Sequence, residues 1–173
     1  MDKKLIFKPP TKESYDGSRF KKESLYLDEL GQMEKSKILL TILGEPKAQK
    51  RHRHVKMGNF VRQYDPSSAD KGDFLSIVQR EAPKEPFTEP LAVAIRFYFT
   101  RPKSHFRTGK NSHVMKDNAP LWHTSKPDAD NLAKFVLDSM NKIYWKDDSV
   151  IADLWILKQY SDKPRTSIEI SLL

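Results

Sequence analysis

Two aspartates two positions apart, Asp128 and Asp130, follow a proline in the run Lys126-Pro127-Asp128-Ala129-Asp130-Asn131-Leu132. A second acidic pair, Asp147 and Asp148, comes after Trp145-Lys146. Carboxylates of this kind suit a hard divalent cation. Mg²⁺ takes oxygen ligands, and it is commonly held by one or two protein carboxylates together with water and substrate phosphate. Lys134 lies four residues after Asp130, so the two share a face once a helix has begun. An ammonium there can hold phosphate or offset charge that develops on it; the plainer alternative is an ion pair on a solvated helix face. The aspartates have plainer alternatives as well. Helix starts favour Asp as a cap and as a partner for the dipole, and turns favour it too. Spacing alone leaves ligand and cap both open. An EF-hand calcium loop is excluded. Counted from Asp128, its required Gly and Glu places hold Ala133 and Ser139.

The elements that carry these residues can be read from periodicity. Pro127 disfavours a helical residue before it, which sets a helix start near 128–131. Leu132, Val136, Met140 and Ile143 then recur at helical spacing, predicting a helix within 126–142. Such a helix is roughly 20 Å long, and Asp147–Asp148 follow its far end. Nothing in the spacing returns Asp148 to Asp128. Residues 150–157 form a strand, and alternation at Thr166, Ile168, Ile170 and Leu172 predicts a last one.

Upstream, Ile38-Leu39-Leu40-Thr41-Ile42-Leu43 is a strand, and its nearly continuous apolar character predicts burial on both faces. Asn59-Phe60-Val61-Arg62 is a short strand that pairs back across Met57-Gly58. Asp65 is expected to cap a helix with Pro66 at its first position. That helix directs Phe74, Leu75, Ile77 and Val78 inward and stops before Pro83. Alternation at Val93, Ile95, Phe97 and Phe99 marks a strand over Leu91–Thr100. Residues 101–125 make a long basic loop, of a length associated with function or disorder. Residues 1–36 are polar and charged and are expected to be an N-terminal extension, partly ordered, ahead of a single domain over 37–173.

Composition narrows the partners. The 173 residues include 31 Lys and Arg against 23 Asp and Glu, giving a net charge of +8 and a pI near 9.5. That surplus favours a polyanion such as DNA. Two basic stretches are the candidate DNA contacts: 47–56, with Lys47, Lys50, Arg51, Arg53 and Lys56, and the long loop with its flank, with Arg101, Lys103, Arg107, Lys110 and Lys126. His52 and His54 share one face of a possible strand, without an evident third ligand. Trp122, Trp145 and Trp155 are expected in the core or an interface rather than as base-stacking platforms, Trp122 in the basic loop being the one of the three nearest the candidate DNA contacts. The chain has no cysteine, which removes disulfide and thiolate-zinc chemistry and fits a reducing interior. No signal peptide or membrane span is visible, so a cytosolic location without membrane attachment is expected.

The run K-P-D-A-D-N-L-A-K-F-V-L-D-S-M-N, followed by W-K-D-D-S-V-I, resembles the RusA family of Holliday-junction resolvases, common in phages and prophages. The resemblance covers 126–151 closely, and the order of elements from Ile38 onward is similar. The N-terminal extension and the long loop depart from smaller members. The resemblance implies essential aspartates at Asp128, Asp130 and Asp148, a further acidic position at Asp147, and an essential lysine at Lys134. It implies that both acidic sites come together around Mg²⁺, with Mn²⁺ a possible substitute and no small-molecule cofactor. It further implies a mixed α/β (α+β) fold, a small mixed sheet packed with two main helices, and a homodimer that cuts four-way junction DNA by paired symmetric nicks in recombination and repair. Two alternatives stand beside it: a non-catalytic DNA-binding module whose aspartates are caps and turns, and a Mg²⁺ nuclease for flaps or other branched DNA.

Overall fold

A computed structural model describes residues 37–50, 53–57, 60–64 and 66–173. The expected N-terminal extension, 1–36, lies outside them, as do Arg51, His52 and Asp65. The elements run β1 (Ile38–Leu43), β2 (Arg53–Met57), β3 (Phe60–Tyr64), α1 (Ser68–Val78), β4 (Leu91–Thr100), α2 (Ala129–Met140), β5 (Ile151–Ser161) and β6 (Arg165–Leu172). Four strands make one mixed sheet in the order β1-β6-β4-β5. β6 is antiparallel to both β1 and β4, whereas β4 and β5 are parallel. Parallel neighbours need a crossover, and α2 lies within it. The β2–β3 pair forms a separate two-stranded sheet. This is the expected α+β fold, a mixed sheet with two helices.

Both helices lie on one face of the sheet. Leu40, Ile42, Leu91, Val93, Ile95, Phe97, Ile168 and Ile170 meet Phe74 and Val78 of α1 and Leu132, Phe135, Val136 and Met140 of α2. Phe74 meets Phe135 edge to face with centroids 5.5 Å apart. Fully burying a side chain such as Phe135 stabilises the fold by roughly 1.5–3 kcal/mol. At the far end of both helices the buried Tyr144 hydroxyl donates to the Val78 carbonyl at 2.6 Å. This bond ties the end of α1 to the turn after α2. In that turn Lys142 adopts φ 66°, a left-handed conformation that helps the chain reverse after the helix.

Three expectations change. β1 is not buried on both faces: Leu40 and Ile42 point into the core, but Leu39 and Leu43 are 65% and 77% exposed. The helices cover only one face, and β1 is an edge strand. Pro66 is not the first residue of α1. Ser67 stands at the cap, and its hydroxyl instead accepts from the Lys50 backbone N–H at 2.8 Å. Ile77 is not inward-facing; it is exposed, while Phe74 and Val78 are buried and Leu75 is half-buried. Among the described residues no helix is long and apolar enough to cross a membrane.

Candidate active site

The backbone approaches α2 in an extended conformation. Asp128 sits at the cap position with φ −72° and ψ 150°, and Asp130 lies in the first turn. Asp128 makes no side-chain cap bond. Both carboxylates are exposed, and neither forms an ion pair or side-chain hydrogen bond among the described residues. Capping therefore does not account for Asp128. Lys134, one turn on, is exposed as well and makes no ion pair with Asp130. Two free carboxylates and an ammonium are thus held at the positive end of a helix, on a scaffold fixed by the buried face of α2. Hard oxygen donors with room for water and phosphate fit Mg²⁺.

The segment before Asp128 is anchored by a residue that spacing did not single out. The Lys158 ammonium in β5 donates to the carbonyls of Ser125 and Pro127 at 2.8 and 2.5 Å. Lys158 interrupts an otherwise apolar inward row of β5, Leu154, Ile156 and Tyr160. A charge in such a row was the available signal. On the other side of the helix start, the Gln49 N–H donates to the Asn131 carbonyl at 2.9 Å.

Asp147 and Asp148 are placed elsewhere. Asp147 caps a short turn over Asp148–Val150 that leads into β5. Its carboxylate accepts from the Ser149 N–H at 3.0 Å, and the hydrogen bonds from Ser149 hold it below the usual carboxylate range. The start of α2 lies beside Lys158, in the last third of β5. From there α2 runs back toward the start of that strand. The turn after α2 pairs with Phe87, just ahead of β4, and delivers Asp148 to the beginning of β5. Asp128 and Asp130 thus stand at one end of a twelve-residue helix and Asp148 near the other, a separation of about 18 Å along the axis. Among the described residues, no three Asp, Glu or His side chains of one chain are grouped to hold a metal ion.

The basic loop is folded against the same end as Asp128. Its N–H groups and carbonyls bond internally, as between Arg107 and Val114 and between Lys116 and His105, both at 2.9 Å. Three of its cations are used in its own structure. Arg101 donates to the Pro120 carbonyl at 2.9 Å, Lys116 to the Ser104 carbonyl at 2.9 Å, and Arg107 pairs with Asp117 at 3.2 Å. His123 stacks on Phe99 at 3.9 Å, and His105 meets Tyr160 edge-on at 4.7 Å. Burial, and then the Lys158 charge, keeps His123 below the usual imidazole range. Lys103, Lys110 and Lys126 remain exposed without an ion pair among the described residues. Lys47 and Lys50 both pair with Asp70, at 3.3 and 2.8 Å. The hydrogen bond from Lys50, aided by Lys47, lowers the Asp70 carboxyl below its ordinary range. Of the other candidate contacts, Arg53 and Lys56 lie on β2 and Arg51 is outside the described residues. Trp145 is fully buried, while Trp122 and Trp155 are 42% and 38% exposed.

Comparison with known proteins gives the same direction. Residues 44–171 match the family model described as Endodeoxyribonuclease RusA. The chain is 33% identical over 135 residues to a Bacillus subtilis (strain 168) protein, YqaN, described as uncharacterized; the match covers 77% of this chain and 94% of that protein. It is 29% identical over 129 residues to the crossover junction endodeoxyribonuclease rusA of Lactococcus phage r1t, covering 73% of this chain and 89% of the phage protein.

Proposed function

The chain belongs to the RusA family of endodeoxyribonucleases, and from that premise we propose that it is a Mg²⁺-dependent enzyme that resolves four-way DNA junctions by paired symmetric nicks. The observation that carries the metal reading is the pair Asp128 and Asp130 at the start of α2, free of cap bonds and ion pairs. A bound Mg²⁺ would polarise the scissile phosphate and lower the pKa of an attacking water. Asp128, Asp130 and Asp148 are the residues that would hold it, with Asp147 a further acidic neighbour. Lys134 binds the phosphate beside them and offsets its charge. Lys103, Lys110 and Lys126 track the DNA backbone from the loop, and Lys47 and Lys50 extend that surface. The phage protein among its relatives favours a phage or prophage setting, and the junction substrate favours roles in recombination and repair.

The two acidic groups are too far apart to share an ion within one chain. Mg²⁺ ligands lie near 2 Å from the metal, and side chains cannot close about 18 Å of helix. We therefore read the enzyme as a homodimer in which Asp148 of one chain completes the site begun by Asp128 and Asp130 of the other. Two such sites at a fixed separation match the two opposed cuts of a two-fold symmetric junction. The test uses a labelled four-way junction, a flap and a plain duplex with Mg²⁺, and sets wild type against Asp130→Asn. Paired cuts in the junction by wild type alone are expected. Binding of the junction without cleavage would refute the catalytic reading, and preferential cutting of the flap would redirect the substrate.

A further inference from the structure

We propose that Lys158 is a positioning residue for the metal site: its ammonium fixes where the chain turns into α2, and so where Asp128 and Asp130 stand. The inference rests on the reading of those aspartates as metal ligands. Residues 121–127 run beside the last part of β5. The Tyr160 N–H donates to the Leu121 carbonyl at 2.9 Å, and the His123 N–H donates to the Lys158 carbonyl at 3.2 Å. Beyond His123 the backbone pairing stops. The Ser125 and Pro127 carbonyls accept instead from the Lys158 ammonium, at 2.8 and 2.5 Å. Residues 121, 123, 125 and 127 thus all present a backbone group to β5, at the two-residue period of an extended chain. For the last two, one side chain takes the place of the ladder.

A cation is costly at this place. Lys158 is half-buried and makes no ion pair among the described residues. Burying an unpaired charge is unfavourable, and the row that it interrupts, Leu154, Ile156 and Tyr160, is otherwise apolar. An ammonium bonded to the residue next to a metal ligand also repels the metal. Charge by itself therefore disfavours a lysine here. Its hydrogen bonds favour one. A charged donor makes the stronger class of hydrogen bond, and both of these go to carbonyls just upstream of Asp128.

The aspartates depend on such anchors. Neither carboxylate forms an ion pair or side-chain hydrogen bond among the described residues, so neither side chain holds itself in place. Their positions are set through the backbone alone. Upstream that backbone is gripped at Pro127 by Lys158. Downstream it is gripped at Asn131, whose carbonyl accepts from the Gln49 N–H at 2.9 Å. Lys158 thus reaches Asp128 through one peptide unit, without touching its carboxylate. Contacts that orient metal ligands from outside typically govern metal affinity by about 10- to 100-fold.

The test is a Mn²⁺ titration of the protein without DNA, read as loss of the free-ion electron paramagnetic resonance signal. Wild type is set against Lys158→Met, which keeps most of the apolar stem and loses the charge and the donors. Binding should weaken about 10- to 100-fold while the circular dichroism spectrum stays native. Amide hydrogen exchange should quicken over 124–131 and stay unchanged along β4 and β6. Lys158→Gln makes the same comparison should the methionine variant fail to fold. Unchanged affinity in the folded variant overturns the inference, since a lysine that only stabilises the fold would lower the melting temperature and nothing else. Tighter binding overturns it too, because that is what relief of charge repulsion alone would give. Asp130→Asn is titrated alongside. If it binds Mn²⁺ as wild type does, or if wild type binds none, the metal reading fails and this inference with it. If Asp130→Asn loses the ion and Lys158→Met keeps it, only the role of Lys158 is refuted.

Discussion

Mixing two inactive variants provides the most direct test of the shared site. Asp130→Asn and Asp148→Asn each remove one proposed metal ligand, and each alone should lower nicking on the order of 100-fold or more. Asp130 lies in the first turn of α2 and Asp148 beyond its other end, so about 18 Å of helix stands between them. In a site built from two chains, a heterodimer of the variants collects both substitutions in one site and none in the other. Random assortment makes about half of the dimers mixed, each with one intact site out of two. The mixture should therefore recover about one quarter of wild-type nicking. The product should also change. A dimer with one working site makes single nicks, so the ratio of single to paired cuts should rise sharply. The assay is a four-way junction labelled on two opposed strands, with chains co-refolded and heterodimers verified through two affinity tags. Verified heterodimers with no activity above the separate variants would refute the argument and place all three aspartates in one chain's site.

Two further predictions concern the frame around the site. Tyr144→Phe leaves the buried Val78 carbonyl without the hydroxyl that reaches it at 2.6 Å, and should cost about 1–2 kcal/mol in denaturant unfolding; a change near zero would show that this tie does not stabilise the fold. Burial pushes the Tyr144 phenol to about 12, so that cost should be constant across neutral pH. His123 should make stability pH-dependent. Its folded pKa lies below the ordinary value because of burial and the Lys158 charge, so the unfolded chain takes up the proton first. Stability is then full above the ordinary imidazole range and falls as pH drops through it toward the lowered folded pKa. Thermal melts of wild type and His123→Phe, which keeps the stack on Phe99, should differ in that slope; equal slopes would exclude His123 as the cause.

Much of the frame was legible in the sequence because local periodicity encodes it. Alternation in β4 and β6 named the core residues Val93, Ile95, Phe97, Ile168 and Ile170. The helical repeat of Leu132, Val136 and Met140 fixed the buried face of α2, and hence the exposed side of Asp130 and Lys134. The run from Lys126 to Ile151 was enough to suggest the family. What failed was whatever depends on neighbours remote in the chain. An apolar run such as β1 cannot show that its strand lies at a sheet edge with one face uncovered. Ser67, rather than Asp65, stands at the start of α1, and its hydroxyl meets the backbone of Lys50. The basic loop 101–125 combines internal hydrogen bonds with ring contacts to Phe99 and Tyr160, which no local pattern reports.

The aspartates divide along the same line. Sequence by itself determined that Asp128 and Asp130 stand together at the start of α2, since a proline and a helical repeat fix that within a few residues. It left their role open between cap and ligand. The tertiary structure decided against the cap, with Asp128 making no cap bond, and revealed Lys158 holding the segment before it. It alone decided where Asp148 lies. That position depends on the direction in which α2 crosses the sheet, a property of strand order rather than of any local stretch of chain, and it sets Asp148 about a helix length from the pair.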